Sequence, residues 1–174
     1  ETLGKYGAQK VLHASDERLN QGIIQAYATV LENALKDENA DVLVLANSSL
    51  GTPVAARVAG KIGASLATNV IDLPNTSSGF LVKRSIYTGK AFAWVELTSQ
   101  KKVISIRKNA AEMKEVASPV QVTPYTAAFS DADFATKITS AEKATGEISL
   151  PEANIVVSGG RGMKGPEHWA ILEE

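Results

Sequence analysis

Hydrophobic positions along the chain alternate between strand-like runs and helical spacing. Lys10-Val11-Leu12-His13-Ala14 is a short strand-like run after a turn at Gly7. Ile23, Ile24, Tyr27, Val30, Leu31 and Leu35 then recur at three- and four-residue steps. That spacing predicts an amphipathic helix from about Gln21 to Lys36, with Asp16 or Asn20 placed to cap it. Asp41-Val42-Leu43-Val44-Leu45-Ala46 is almost continuously apolar, the pattern of a central parallel strand covered on both faces. After a polar turn, Asn47 to Pro53, the residues Val54, Ala55, Val58, Ala59 and Ile62 mark one face of a second helix that Gly63 closes. Ser65 to Asp72 reads as another strand. Strand, helix, strand, helix, strand with short connections argues an α/β fold wound right-handed around a parallel sheet.

Pro74-Asn75-Thr76-Ser77-Ser78-Gly79 breaks this alternation. Phe80 to Tyr87 and Ala91 to Leu97 flank Thr88-Gly89-Lys90 and predict a hairpin. Val103 to Arg107 reads as a further strand of the same antiparallel tail, with Phe92 and Trp94 as packing residues. Asn109 to Ala117 reads as a helical turn or a loop. Val120 to Val122 and Phe134 to Ala141 read as two more strands. Glu142 to Glu152 is polar and rich in breakers, which makes it the expected linker, with a domain boundary near Leu150. The expected domains are therefore residues 1–150 and 151–174.

The last stretch carries the candidate chemistry. Ile155-Val156-Val157 reads as a buried strand, Ser158-Gly159-Gly160-Arg161-Gly162 as a tight turn, and Pro166-Glu167 as a helix start. Residues without a Cβ let backbone N–H groups converge on an anion, and a helix N-terminus adds positive potential. Arg161 would add a permanently charged planar fork. The Rossmann spacing G-x-G-x-x-G is absent, so glycine spacing alone leaves an ordinary strand-to-helix turn equally open. The turn at Asn47 to Gly51 has no G-K-S/T and no second glycine, and reads as a plain connection with a good cap rather than a phosphate cradle.

Composition narrows the classes. A 174-residue chain with 44% hydrophobic and 21% charged residues is ordinary for a folded domain. A net charge of -1 gives no reason to expect nucleic acid or a membrane surface, and no apolar run is long enough for membrane insertion. The chain holds no cysteine, so disulfides, thiolate metal sites and thiol nucleophiles are excluded. His13 and His168 stand far apart without metal-ligand or triad spacing. Lys83, Arg84, Lys90, Lys101, Lys102, Arg107 and Lys108 crowd the hairpin region, and read as blockers of strand edges rather than a nucleic-acid surface. With neither a signal-type leader nor an initiator Met, the chain reads as a fragment or a processed product.

Ser158-Gly159-Gly160-Arg161-Gly162-Met163-Lys164-Gly165-Pro166-Glu167, preceded by Ala153-Asn154-Ile155-Val156-Val157, closely resembles the segment that opens the flavin domain of electron transfer flavoprotein alpha subunits. Arg84-Ser85-Ile86-Tyr87-Thr88-Gly89-Lys90-Ala91 resembles the R-P-I-Y-A-G-N/K-A motif of the family's first domain, with Ser85 and Thr88 departing from the usual Pro and Ala. The resemblance implies a mostly parallel Rossmann-like sheet flanked by helices, with an antiparallel hairpin extension. It implies FAD as cofactor, with Arg161, Gly160, Gly162 and Ser158 as cofactor-binding residues. It implies an electron carrier rather than a stand-alone catalyst, paired with a beta subunit, taking electrons from acyl-CoA or other dehydrogenases and passing them to a quinone reductase or another acceptor.

By that resemblance a strand and helix upstream of Leu3 and most of the flavin domain are missing, so FAD is not expected on this chain alone. The setting would be a bacterial cytoplasm or a mitochondrial matrix. Two further readings stand beside it: an adenine-nucleotide-binding α/β enzyme using the Asn47 to Gly51 turn, and a purely structural interaction module.

Overall fold

A computed structural model describes residues 2–140, 150, 153 and 155–173. The chain divides into two compact units, Glu1–Thr139 and Ser140–Glu174. The expected linker, apart from Leu150, lies outside the described residues.

In the first unit β1 (Lys10–Ala14), α1 (Ile24–Asp37), β2 (Val42–Ala46), α2 (Gly51–Ile62), β3 (Ser65–Val70), β4 (Leu81–Ile86), β5 (Ala91–Glu96), β6 (Lys102–Ile106) and β7 (Gln121–Tyr125) follow in order. A five-stranded sheet has the order β2-β6-β3-β4-β5, and β1 and β7 form a separate pair. β6 runs parallel to both β2 and β3, while β4 is antiparallel to β3 and to β5. This is the α/β arrangement with a hairpin extension that the sequence predicts.

Helices cover one face of the sheet. Val54, Ala55, Val58 and Ala59 of α2 and Ala28 and Leu35 of α1 enclose Val103, and Leu43, Leu45 and Leu66 pack around them. Neighbouring residues on a strand point to opposite faces, so Ile104 belongs to the other side. There it clusters with Ala67, Val70, Val82 and Leu97. Gly63 ends α2 in the left-handed conformation (φ 63°) and donates its N–H to Ala59, as a glycine C-cap does.

Several local expectations change. β6 is not part of the antiparallel tail: it is inserted between β2 and β3, where Val103, Ile104 and Ser105 are fully buried. β2, expected to be covered on both faces, is an edge strand of this sheet. It turns Leu43 and Leu45 toward the helices and leaves Val42 and Val44 38% and 53% exposed. Phe92 and Trp94 are exposed rather than packed. Lys83, Arg84 and Lys102 do not guard edges, because the first two lie on β4 and the third on β6, both interior strands, whereas Lys90 directly precedes the edge strand β5.

The capping expectation also shifts. Asp16 caps a 3-10 turn, Glu17–Gln21, by accepting the N–H of Arg18, and α1 starts only after Gly22 at φ 70°. Phe134 to Ala141 contains no strand in its described part. Its first residue instead ends a 3-10 turn, Asp131–Phe134, that Ser130 and Asp133 close as a capping box.

That turn is fastened to α1. Asp133 is buried and accepts the Thr29 hydroxyl at 2.6 Å, the Ser130 N–H at 2.8 Å and the Ser130 hydroxyl at 2.9 Å. Burial alone would raise its pKa, but these hydrogen bonds and the charge of Lys61 outweigh it and hold the carboxyl below its ordinary value. Tyr125 of β7 donates to Asp37 at 2.7 Å, which with burial pushes the phenol up to about 12.

Asp133→Ala should cost about 1–3 kcal/mol in urea unfolding near neutral pH, because Thr29 loses its acceptor in a buried setting. A depressed folded pKa contributes stability that is complete above the unfolded value and is lost as pH falls through the folded one. The gap between parent and variant should therefore close below about pH 4, and a gap that persists unchanged there would contradict the ionised role.

Candidate functional site

The second unit carries the glycine turn. Ile155, Val156 and Val157 form no strand and are 84%, 53% and 68% exposed. A strand needs a neighbour to satisfy its backbone, and no described residue supplies one here. The chain then turns through two 3-10 segments, Arg161–Met163 and Pro166–His168, into α3 (Ala170–Glu173). Pro166 occupies the first turn of its segment, as predicted.

The glycines of this turn differ in what they require. A Cβ on Gly159 would stand 2.3 Å from the sulfur of Met163 and 3.1 Å from Leu172, so Gly159 is where those side chains close against the backbone. Gly160 and Gly162 have nothing within 4 Å of a Cβ, so both neighbours of Arg161 leave open space. Ser158, Gly160, Arg161 and Gly162 are all exposed. Arg161 accepts the Lys164 N–H through its carbonyl at 3.2 Å, and its guanidinium has no partner among the described residues. Among the described residues, then, Arg161 is an unpaired, planar cation flanked by open backbone.

The turn after β2 is occupied by its own side chains. Asn47 Oδ1 accepts the Ser105 hydroxyl at 2.8 Å, the Asn69 N–H at 3.0 Å and the Thr52 hydroxyl at 3.3 Å. Ser48 Oγ accepts the Gly51 N–H at 2.9 Å, and a Cβ on Gly51 would lie 2.1 Å from the Ala46 carbonyl oxygen. The polar groups that a phosphate would need are engaged in joining β2, β3, β6 and α2. Spacing gave no sign of this clamp, because its members are up to 58 residues apart.

The hairpin motif shows strain. Tyr87, Thr88 and Gly89 have φ of 50°, 56° and 87° in succession. A β-branched residue is rarely found there, and Thr88 is the position where the resemblance expects alanine. Arg84 donates to Thr68 Oγ1 at 3.3 Å, while its Nε is buried with no partner. Elsewhere in the first unit, a cleft of about 490 Å³ opens among His13, Asp16, Asn20, Tyr27, Leu31 and Leu45. Among the described residues no three His, Asp or Glu side chains converge as a metal site, and no helix is long and apolar enough to cross a membrane.

A family model described as the electron transfer flavoprotein domain matches residues 1–132. The chain belongs to the electron transfer flavoprotein family. Among its relatives, the electron transfer flavoprotein subunit alpha of Bacillus subtilis is 31% identical over 175 residues, covering 100% of this chain and 54% of that protein. The subunit of the same name from Syntrophomonas wolfei is 30% identical over 173 residues, covering 99% of this chain and 55% of its own. The probable mitochondrial alpha subunit of Caenorhabditis elegans is 26% identical over 166 residues, covering 95% and 49%. The chain thus spans about half the length of these electron transfer flavoprotein relatives. The matches to the two bacterial subunits extend past residue 132 and take in the glycine turn.

A flavin dinucleotide has a planar ring system and an anionic pyrophosphate. The guanidinium of Arg161, unengaged among the described residues, and the open backbone beside it fit one edge of such a group. They do not bury it, since every residue from Ile155 to Gly162 is exposed, whereas cofactor sites enclose most of their ligand.

Asn47→Leu should cost about 2–3 kcal/mol, because it strands the buried Ser105 hydroxyl and the Asn69 N–H together. Thermal unfolding with the far-ultraviolet spectrum as a fold control measures this. A loss below about 0.5 kcal/mol would show that the amide is not a clamp.

Proposed function

We propose that this chain belongs to the alpha subunit of an electron transfer flavoprotein, in which it frames the FAD site and presents Arg161 to the cofactor. Residues 1–150 are the first α/β domain, serving as scaffold and subunit interface, and residues 151–174 begin the flavin domain. The observation that carries this reading is the guanidinium of Arg161, unpartnered among the described residues, between Gly160 and Gly162, in a chain whose whole length aligns with an alpha subunit. Gly160 and Gly162 leave room for a ring to approach, and Ser158 offers a hydroxyl at the entry to the turn.

When bound, FAD supplies the capacity to accept and release electrons; the chain's own share is to orient and to set charge. The fixed positive charge of Arg161 favours whichever redox state of the cofactor is more negative, and so raises its potential. The chain acts as an electron carrier rather than a stand-alone catalyst. Its partners in this reading are a beta subunit, acyl-CoA or other dehydrogenases as donors, and a quinone reductase or another acceptor. The setting is a bacterial cytoplasm or a mitochondrial matrix.

Purified alone, the chain should be colourless and should give no heat on titration with FAD, since its exposed turn encloses nothing. A flavin absorption band at stoichiometric amount would overturn that. In the assembled flavoprotein Arg161→Ala should lower the potential, by about 30 mV for a two-electron couple if a contact worth ~1.4 kcal/mol is lost. A potential that stays where it was would remove Arg161 from this role.

A further inference from the structure

β5 forms one edge of the five-stranded sheet, and no described strand pairs with its outer side. Between Lys90, which precedes the strand, and Glu96, its last residue, Ala91-Phe92-Ala93-Trp94-Val95 carries no charge and no proline, the devices that normally keep an edge from pairing. The direction of its free hydrogen-bonding groups follows from its neighbours. Leu97 donates its N–H to Phe80 at 2.9 Å, while Leu81 exchanges both bonds with Asn75 and the Lys83 carbonyl accepts from Ile71. β4 thus turns Leu81 and Lys83 away from β5 and turns Val82, Arg84 and Ile86 toward it. Antiparallel pairs alternate, so Ala91, Ala93 and Val95 bond to β4. The N–H and C=O groups of Phe92, Trp94 and Glu96 point off the sheet.

This outward row is complementary to its own reverse. Laid antiparallel about Ala93, Lys90 faces Glu96, Ala91 faces Val95 and Phe92 faces Trp94. Lys90, Phe92, Trp94 and Glu96 share one side of the strand by the two-residue repeat, and all four are exposed. The rings are 58% and 57% exposed, and Lys83 Nζ stands 5.1 Å and 5.8 Å from their centroids. Centring on Phe92 would place Lys90 against Trp94, and centring on Trp94 would place Glu96 against Phe92. Only the register at Ala93 matches both the charges and the rings. It also puts Phe92 and Trp94 in a hydrogen-bonded pair that uses the outward groups.

We propose that β5 pairs antiparallel with β5 of a second copy of this chain, centred on Ala93, and joins two five-stranded sheets into one. The pairing stands on the edge strand alone and does not depend on the flavin reading.

Sedimentation equilibrium over a range of concentrations tests it. The parent chain should show a monomer–dimer equilibrium. Lys90→Glu and Glu96→Lys should each weaken the dimer roughly tenfold, since each creates two like-charge pairs, and the double swap should restore it to within about twofold. The chain has no cysteine, so Ala93→Cys introduces the only thiol. It should cross-link on mild oxidation, because a non-hydrogen-bonded pair sets the Cα atoms about 4.5 Å apart. Ala91→Cys, whose two copies would lie four residues out of step, should not. A chain that stays monomeric throughout, a double swap no better than the single ones, or cross-linking at position 91 in preference to 93 would each overturn the proposal.

Discussion

The side-chain amide of Asn47 is the point on which the first unit depends. Ser105 is fully buried on β6, and a buried hydroxyl without an acceptor is costly. Asn47, at the carboxyl end of β2, supplies that acceptor, and so ties β6 into its seat beside β2. The same oxygen takes the N–H of Asn69, whose left-handed backbone (φ 58°) lies where the pairing of β3 with β6 shifts register. Beyond that point β3 pairs with β4 in the opposite sense, and the Asn69 amide reaches across to the Ser85 carbonyl at 3.0 Å. One polar cluster therefore governs both the parallel core and the change to the antiparallel hairpin.

That use of Asn47 bears on function. In open α/β sheets the carboxyl ends of the strands are the usual place for a ligand. Here the turn after β2 is closed by its own hydrogen bonds, with Ser48 capping Gly51 and Thr52 bonded to Asn47. The polar groups of that turn are engaged in joining β2, β3, β6 and α2. The glycine turn of the second unit has the opposite character: Arg161 has no side-chain partner among the described residues, and its flanking glycines are open.

Edges tell a similar story. Of the outer strands of the five-stranded sheet, β2 is apolar along its length and β5 from Ala91 to Val95, while Lys83, Arg84 and Lys102 lie on interior strands. Lys83 and Lys102 are placed over aromatic rings, the former over Phe92 and Trp94 and the latter over Phe80. Their charges serve cation–π contact and leave the edges open. Strain collects at the hairpin end, where Tyr87 and Thr88 both hold positive φ.

Local pattern by itself determined a good deal. The apolar spacing from Ile23 to Leu35 specified α1, the runs at Val42 and Ser65 specified strands, Gly63 specified a helix end, and the hairpin was legible on either side of Gly89. The glycine-rich motif around Arg161 was likewise readable as a likeness to one family. Tertiary structure decided what periodicity does not encode: that β6 enters between β2 and β3, that β2 and β5 form the outer edges of that sheet, and that Ile155 to Val157 stays out of any strand. It also decided that Asn47 and Asp133 are clamps, through partners 58 and 104 residues distant. The physical reason is the range of the forces involved. Backbone propensity and amphipathic spacing act within a few residues, whereas strand order and buried polar pairing are chosen by which distant groups can satisfy one another once water is excluded.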